Sequence, residues 1–270
     1  MKITIFTSNK LRHNYLVNSL QKIGNLFVFQ ESTTHFPGIN KSRYKVNKYI
    51  ADYFTKVNLS QNKFFKKHVS IHSQKNSIKI VNLAYGDLNK ININNYKEFF
   101  KSDIYLVFGS SFIKGNLLNF LIRQNAINIH MGISPFYTGT DCNFWALFDR
   151  NPELVGATIH YLSKELDIGP IIYHATSEIT KNPFDYSMST VKSAVDSIIL
   201  KLLKENLLDF KKGDLNFNKT FKNIRHSKKI DFTPMIAKKF LNRKNYVKKV
   251  LNHYNLVNNF KLKKKDYFND

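Results

Sequence analysis

The run Ile104–Phe108, IYLVF, holds five apolar residues with no polar residue between them. A strand with one wet face alternates, so an unbroken run predicts a strand covered on both faces, as in a parallel sheet layered between helices. The N-terminus agrees. KITIF (Lys2–Phe6) reads as a short β-branched strand, Leu16, Val17, Leu20 and Ile23 repeat at helical spacing, and LFVF (Leu26–Phe29) reads as a second strand. TSNK offers Thr, Ser and Asn as caps for the intervening helix, and Gly24 can close it. Such a β-α-β opening predicts parallel strands joined by a right-handed crossover. The expected class is α/β: a Rossmann-like, mostly parallel sheet flanked by helices, with a small basic C-terminal extension.

Further along, Ser42 to Val57 reads as helix and Ser77–Leu83 as strand, whereas Ser60 to Gln74 fits helix or loop equally. Leu117, Leu118 and Leu121 mark a helix, and Ala126–Ile129 a short strand. Leu154–Leu162 alternates with period two, and Pro170–Ile179 is its expected antiparallel neighbour. Val191, Ala194, Val195, Ile198, Ile199, Leu202 and Leu203 form a long amphipathic helix that Gly213 could end. After it the chain turns lysine-rich, with Asp231 or Thr233 placed to cap a helix through Phe240. The expected division is a catalytic domain over residues 1–213 and a small subdomain or tail over 214–270.

The single cysteine, Cys142, excludes an internal disulfide and fits a reducing compartment. The first residues do not read as a signal peptide, and no run approaches the roughly 18 apolar residues of a membrane span. A soluble, cytoplasmic protein is expected. The formal charge of +23 suggests an anionic partner, but its distribution qualifies this. From Asp103 to Thr180, four Lys/Arg stand against seven Asp/Glu, whereas from Phe221 to Asp270 fourteen stand against three. The positive charge lies outside the segment that carries the chemistry, and much of it reads as a solvated surface.

That chemistry is in INIHMGISPFYTG, Ile127 to Gly139. Residues i and i+2 of a strand share a face, so Ile127 and Ile129 bury together and Asn128 and His130 stand side by side on the other face. In an α/β sheet, ligands gather at the carboxyl ends of strands. An amide donor beside an imidazole there suits an oxyanion forming on an acyl carbon. Asp167, in LDIGPII, could come beside His130 and fix its tautomer.

INIHMGISPFYTG, GATIH and LDIGPII, in this order and spacing, resemble the formyltransferases that use N10-formyltetrahydrofolate, most strongly from about Ile104 to Tyr173. That family includes glycinamide ribonucleotide, methionyl-tRNA and nucleotide-amino-sugar formyltransferases. The resemblance implies Asn128, His130 and Asp167 as catalytic residues, with N10-formyltetrahydrofolate as co-substrate and no metal. It places the folate pocket at Gly109, Ser110, Ser111, Phe112, Ile113 and Lys114, completed by backbone around Glu165 and Leu166. Phe112 and Ile113 could supply apolar walls for a flat ring, ahead of the alternative that they are helix-entry core. Met131 and Gly132 depart from the family's usual Pro and small residue, and Thr138 from a common basic residue. These departures bear on the acceptor more than on the chemistry.

His72, His160, His174 and His226 lack zinc-ligand spacing and read as structural or surface residues. Phe144 and Trp145 read as core, and Cys142 has no paired base to make it a nucleophile. The resemblance favours a nucleotide-linked amino sugar as acceptor, for surface polysaccharide (lipopolysaccharide) synthesis. Methionyl-tRNA is the lesser alternative, and hydrolysis of the formyl-folate a third. A basic nucleic-acid-binding module sits poorly with an intact Asn128, His130 and Asp167. Assembly is open, a homodimer included.

Overall fold

The computed structural model describes residues 1–32, 47–72, 77–204 and 221–243. Its centre is a seven-stranded sheet in the order β3-β2-β1-β4-β5-β7-β8. The strands are β1 (Lys2–Ser8), β2 (Asn25–Ser32), β3 (Ile78–Ala84), β4 (Ile104–Phe108), β5 (Ile127–His130), β7 (Ala157–Tyr161) and β8 (Ile171–Ala175). β1 to β5 run parallel, while β7 is antiparallel to both β5 and β8. The expected α/β class and the antiparallel pair at its edge are both present.

Alternate residues of the same strands enter two different cores, which explains the unbroken run. Ile104, Leu106 and Phe108 join Ile3, Ile5, Leu26 and Val28 on one face, under α1 (Leu11–Leu20) and α5 (Pro183–Lys204). Tyr105 and Val107 join Phe6, Phe27 and Phe29 on the other, under α3 (Gly115–Arg123). Both faces are dry, so each side chain of β4 contributes burial, roughly 1.5–3 kcal/mol for a fully buried Leu or Phe.

The start of α1 differs from expectation. Lys10 occupies its N-cap and makes no side-chain cap bond. The hydroxyls expected there are engaged elsewhere: Thr7 Oγ1 donates to the Phe108 carbonyl at 2.7 Å, and Ser8 Oγ lies 2.5 Å from His13 Nδ1. Both are β1 residues facing neighbours within the sheet and helix layer. α2 (Lys48–Phe65) extends beyond the expected Val57 and settles the first part of the ambiguous stretch as helix, anchored by fully buried Phe65. The start of the helix expected from Ser42, and Gly213, lie outside the described residues.

Two short strands, β6 (Tyr137–Gly139) and β9 (Arg225–Ser227), pair in parallel apart from the main sheet. They bring residues 221–243 against the loop that follows β5. Arg225 makes a two-pronged ion pair with Asp149, with Nε and Nη2 each 2.8 Å from a carboxylate oxygen, and stacks over Trp145. Beyond it α6 (Pro234–Leu241), with Thr233 Oγ1 accepting from Ile236 N, lays Phe240 among Tyr53, Phe144 and Phe184. Phe144 and Trp145 of α4 (Cys142–Phe148) are core, as their sequence predicts. Among the described residues, no helix is long and apolar enough to cross a membrane.

Candidate active site

β5 is only four residues long, and Asn128 and His130 sit on the face opposite Ile127 and Ile129, which are buried in the main core. The connection from β7 to β8 folds back over the Asn128 and His130 face. It can do so because Gly169 lies flat against the chain: an added Cβ would fall 1.9 Å from the Tyr161 carbonyl oxygen and 3.1 Å from His160 Nδ1. Asp167, held at φ +59, is thereby placed with its Oδ1 3.3 Å from His130 Nδ1. Its other oxygen accepts from the Gly139 backbone N–H at 2.9 Å. Asp167 and His130 are both buried, a setting that strengthens their mutual interaction over that of a surface pair.

His130 Nε2 lies 3.2 Å from the Tyr137 carbonyl oxygen. Both ring nitrogens therefore face oxygen atoms. An oxyanion arriving beside Nε2 would compete with the Tyr137 carbonyl for its N–H.

Asn128 is oriented by a residue that the sequence suggested was only structural. His160, opposite Asn128 in the β5–β7 register, has Nδ1 2.8 Å from the Tyr161 carbonyl, which can only accept. Its Nδ1 therefore carries the proton, and Nε2 accepts from Asn128 Nδ2 at 3.1 Å. That bond turns the Asn128 amide nitrogen toward the ring and leaves its second N–H for a ligand. Burial first, and neighbouring His130 second, push His160 down to about 4. A histidine that folds neutral binds fewer protons than the unfolded chain does below pH 6.5. Stability is thus expected to be complete above pH 6.5 and to fall by about 3 kcal/mol as pH drops toward 4. Denaturant midpoints across that range, compared with a His160→Gln variant, should show the loss diminished in the variant.

Gly132 is where the chain makes room for the imidazole. A Cβ there would lie 2.6 Å from His130 Nε2 and 2.5 Å from Cys142 Cβ. Gly132→Ala should displace His130 and cost about 10²-fold in turnover, with smaller effects on substrate binding; steady-state kinetics of the folded variant measures this. Cys142 itself is buried, its thiol pushed well up by that burial and by Asp167, so it stays protonated and inert. Thr138, at a departure from the resembled pattern, is bonded by its Oγ1 to His226 Nδ1 at 2.9 Å, which brings an imidazole from β9 to that position.

The six residues Gly109–Lys114 divide sharply. Phe112 is 59% exposed, whereas Ile113 packs into the core under α3. Ser111 is buried, with its N–H and hydroxyl both engaged by Glu31. Gly109, at φ +68, makes room for His13, whose ring atoms would lie 2.2 and 2.4 Å from an added Cβ. The close approach inferred from this glycine is made by a protein side chain. Leu166, 43% exposed, lies in the connection after β7, next to exposed Glu165. Phe112 and Leu166 thus stand on the connections that follow β4 and β7, the strands flanking β5.

A cationic group that sequence spacing did not single out converges at the same edge. Lys10 and Arg12 begin α1 at the carboxyl end of β1, and Lys229 reaches across from the β9 side. Lys229 Nζ donates to Tyr85 Oη at 2.9 Å and lies 4.8 Å from that ring's centre. Arg12 donates to Gln61 Oε1 at 2.8 Å. Arg12 first, burial second and Lys229 also push Lys10 down to about 8, against the opposing effect of Asp141. Two surface cavities, of about 530 Å³ between α2, α5 and α6 and about 390 Å³ beside Gln30 and Asn82, contain none of Asn128, His130 and Asp167. Among the described residues, no three His, Cys, Asp or Glu side chains are grouped to hold a metal.

A family model described as formyl transferase matches residues 66–205, just over half of the chain. Methionyl-tRNA formyltransferase of Thermotoga maritima is 30% identical over 154 residues, 56% of this chain and 46% of that protein. The mitochondrial formyltetrahydrofolate deformylase 2 of Arabidopsis thaliana is 33% identical over 115 residues, 42% of this chain and 34% of that protein. The chain thus spans less than half the length of these curated relatives. In fold, it is similar to the crystal structure of a 4-N formyltransferase from Francisella tularensis. The TM-score is 0.51 and the identity 18%, over 86% of this chain and 77% of that one.

Proposed function

This chain belongs to the formyl transferase family, and we propose from that premise that it moves the formyl group of N10-formyltetrahydrofolate onto the primary amine of an anionic acceptor, most plainly a nucleotide-linked amino sugar. The observation that carries formyl transfer is the convergence of Asn128, His130 and Asp167. The amine nitrogen bonds to the formyl carbon, whose carbonyl oxygen becomes an oxyanion. Asn128 Nδ2–H and His130 Nε2–H hold that charge. Asp167 orients His130 and, through water, takes the excess proton of the amine. Collapse then breaks the bond between the formyl carbon and the folate nitrogen, which leaves with a proton. Phe112 and Leu166 supply apolar walls for the folate ring, with Ser110, Lys114 and the backbone near Glu165 at its rim.

The acceptor's charge is argued from Lys10, Arg12 and Lys229. Three cations with Asp141 as their nearby acid suit a phosphate or diphosphate. Lys229→Ala is expected to raise the acceptor KM about tenfold with little change in kcat. Because Lys10 titrates near 8, the acceptor KM should also rise as pH passes upward through 8, where that charge is lost. Initial-rate measurements at fixed donor concentration from pH 6.5 to 9 check both.

A second reading has its own support: two relatives named above act on a tRNA or are named for deformylation. One experiment separates the readings. Release of tetrahydrofolate from N10-formyltetrahydrofolate is followed with no acceptor, with a panel of nucleotide-linked amino sugars, and with initiator methionyl-tRNA. Turnover only with a sugar supports the first reading. Turnover with the tRNA replaces the acceptor, and turnover without any acceptor replaces transfer by hydrolysis.

A further inference from the structure

Glu31, the penultimate residue of β2, has no exposed surface, yet it is a carboxylate. In dinucleotide-binding Rossmann sheets an acid near this place reaches out to a ribose. Here it turns inward. One oxygen accepts from Gly86 N and Ser111 Oγ, both at 2.7 Å, and the other from Ser111 N at 2.6 Å. All three partners donate, so only a group with acceptors on both oxygens fits. A glutamine would set its own N–H against a donor. Gly86, at φ +95, lets the turn after β3 come this close.

The effect falls on the loop after β4. Both donors of Ser111 are consumed, which fixes the peptide groups on either side of it. Asn89 continues the clamp: its Nδ2 donates to the Phe112 carbonyl and its Oδ1 accepts from Lys114 N, both at 2.8 Å. The segment Ser111–Lys114 is therefore gripped from outside by two side chains, while the Phe112 ring is left exposed. A loop held in one conformation loses little freedom when a ligand settles on it.

We propose that Glu31 is a positioning residue for the folate: by gripping Ser111 it presents Ser110 and Phe112 to the pterin ring and sets donor affinity. This rests on the donor reading given under Proposed function. The test is titration calorimetry of the full chain with tetrahydrofolate, alongside KM for the formyl donor and the acceptor and a melting curve, in wild type, Glu31→Gln and Ser111→Ala. Glu31→Gln is expected to weaken tetrahydrofolate binding at least tenfold. Ser111→Ala, which keeps the backbone bond, should weaken it about threefold. In both variants, donor KM should rise in parallel while kcat and acceptor KM change less. If Glu31→Gln does not fold, Ser111→Ala decides alone. Folded variants with wild-type folate affinity, or an equal loss for donor and acceptor, would overturn the assignment. A wild-type chain that binds no tetrahydrofolate would instead overturn the donor reading itself, and this inference with it.

Discussion

Replacing His130 with alanine is expected to lower kcat by at least about 10³-fold while leaving tetrahydrofolate affinity within a few-fold of wild type. The side chain touches the proposed oxyanion position through Nε2 and contributes nothing to the apolar walls at Phe112 and Leu166. Its removal takes away one of two donors and the partner of Asp167 together. The sheet cores are untouched, but buried Asp167 loses its imidazole partner, so a melting curve of the variant reads the accompanying loss of stability. Single-turnover rates with saturating donor, paired with folate titration, separate the two effects. Undiminished turnover would remove His130 from the mechanism.

The second large effect is at Asp167. Asparagine is the informative substitution, because the residue sits at φ +59, a conformation asparagine tolerates and alanine resists. The amide must either turn its oxygen to His130 Nδ1 and its NH₂ toward the Gly139 N–H, or the reverse. In the first case the NH₂ meets the Gly139 N–H, donor against donor; in the second it donates to Nδ1 and holds the imidazole as the neutral Nε2–H tautomer. Either way the carboxylate that takes the amine's proton is gone. Turnover should fall about 10³-fold, with acceptor and donor KM largely retained. A variant that loses affinity for both substrates and keeps kcat would mean that Asp167 shapes the pocket rather than the chemistry.

How far the sequence could be read depended on whether a feature is local. IYLVF predicts a strand dry on both faces, and Ile104–Phe108 distributes its side chains between two cores. Asn128 and His130 share a face because period two requires it. Asp167 is different. Its meeting with His130 depends on a nine-residue connection folding back over the sheet, which no periodicity describes; the residues offered it as a carboxylate in a turn, and the resemblance gave it its role. The bond from Asn128 to His160 depends on the antiparallel register of β5 and β7, which pairs residues 32 apart. A histidine on a period-two strand facing the site was the available signal, and zinc spacing was the wrong test for it. Lys10, Arg12 and Lys229 come from opposite ends of the chain, so their convergence was hidden within a general excess of lysine. The expected helix caps Thr7 and Ser8 failed for a tertiary reason, since each hydroxyl found a partner across the fold first.

The same contrast applies to the loop after β4. Gly109 and Ser111 carried the residue types expected of a ligand loop, yet their special features serve His13 and Glu31. The side chains left exposed are Phe112 and Lys114, with Ser110 half-buried.

The most direct measurement follows the formyl carbon itself. N10-formyltetrahydrofolate labelled at that carbon is turned over by the full chain with a nucleotide-linked amino sugar, and the products are resolved by mass spectrometry and carbon NMR. Transfer as proposed places the label in a formamide on the sugar nitrogen, in one-to-one ratio with tetrahydrofolate released. Label recovered as free formate, with the sugar amine unchanged, would contradict it.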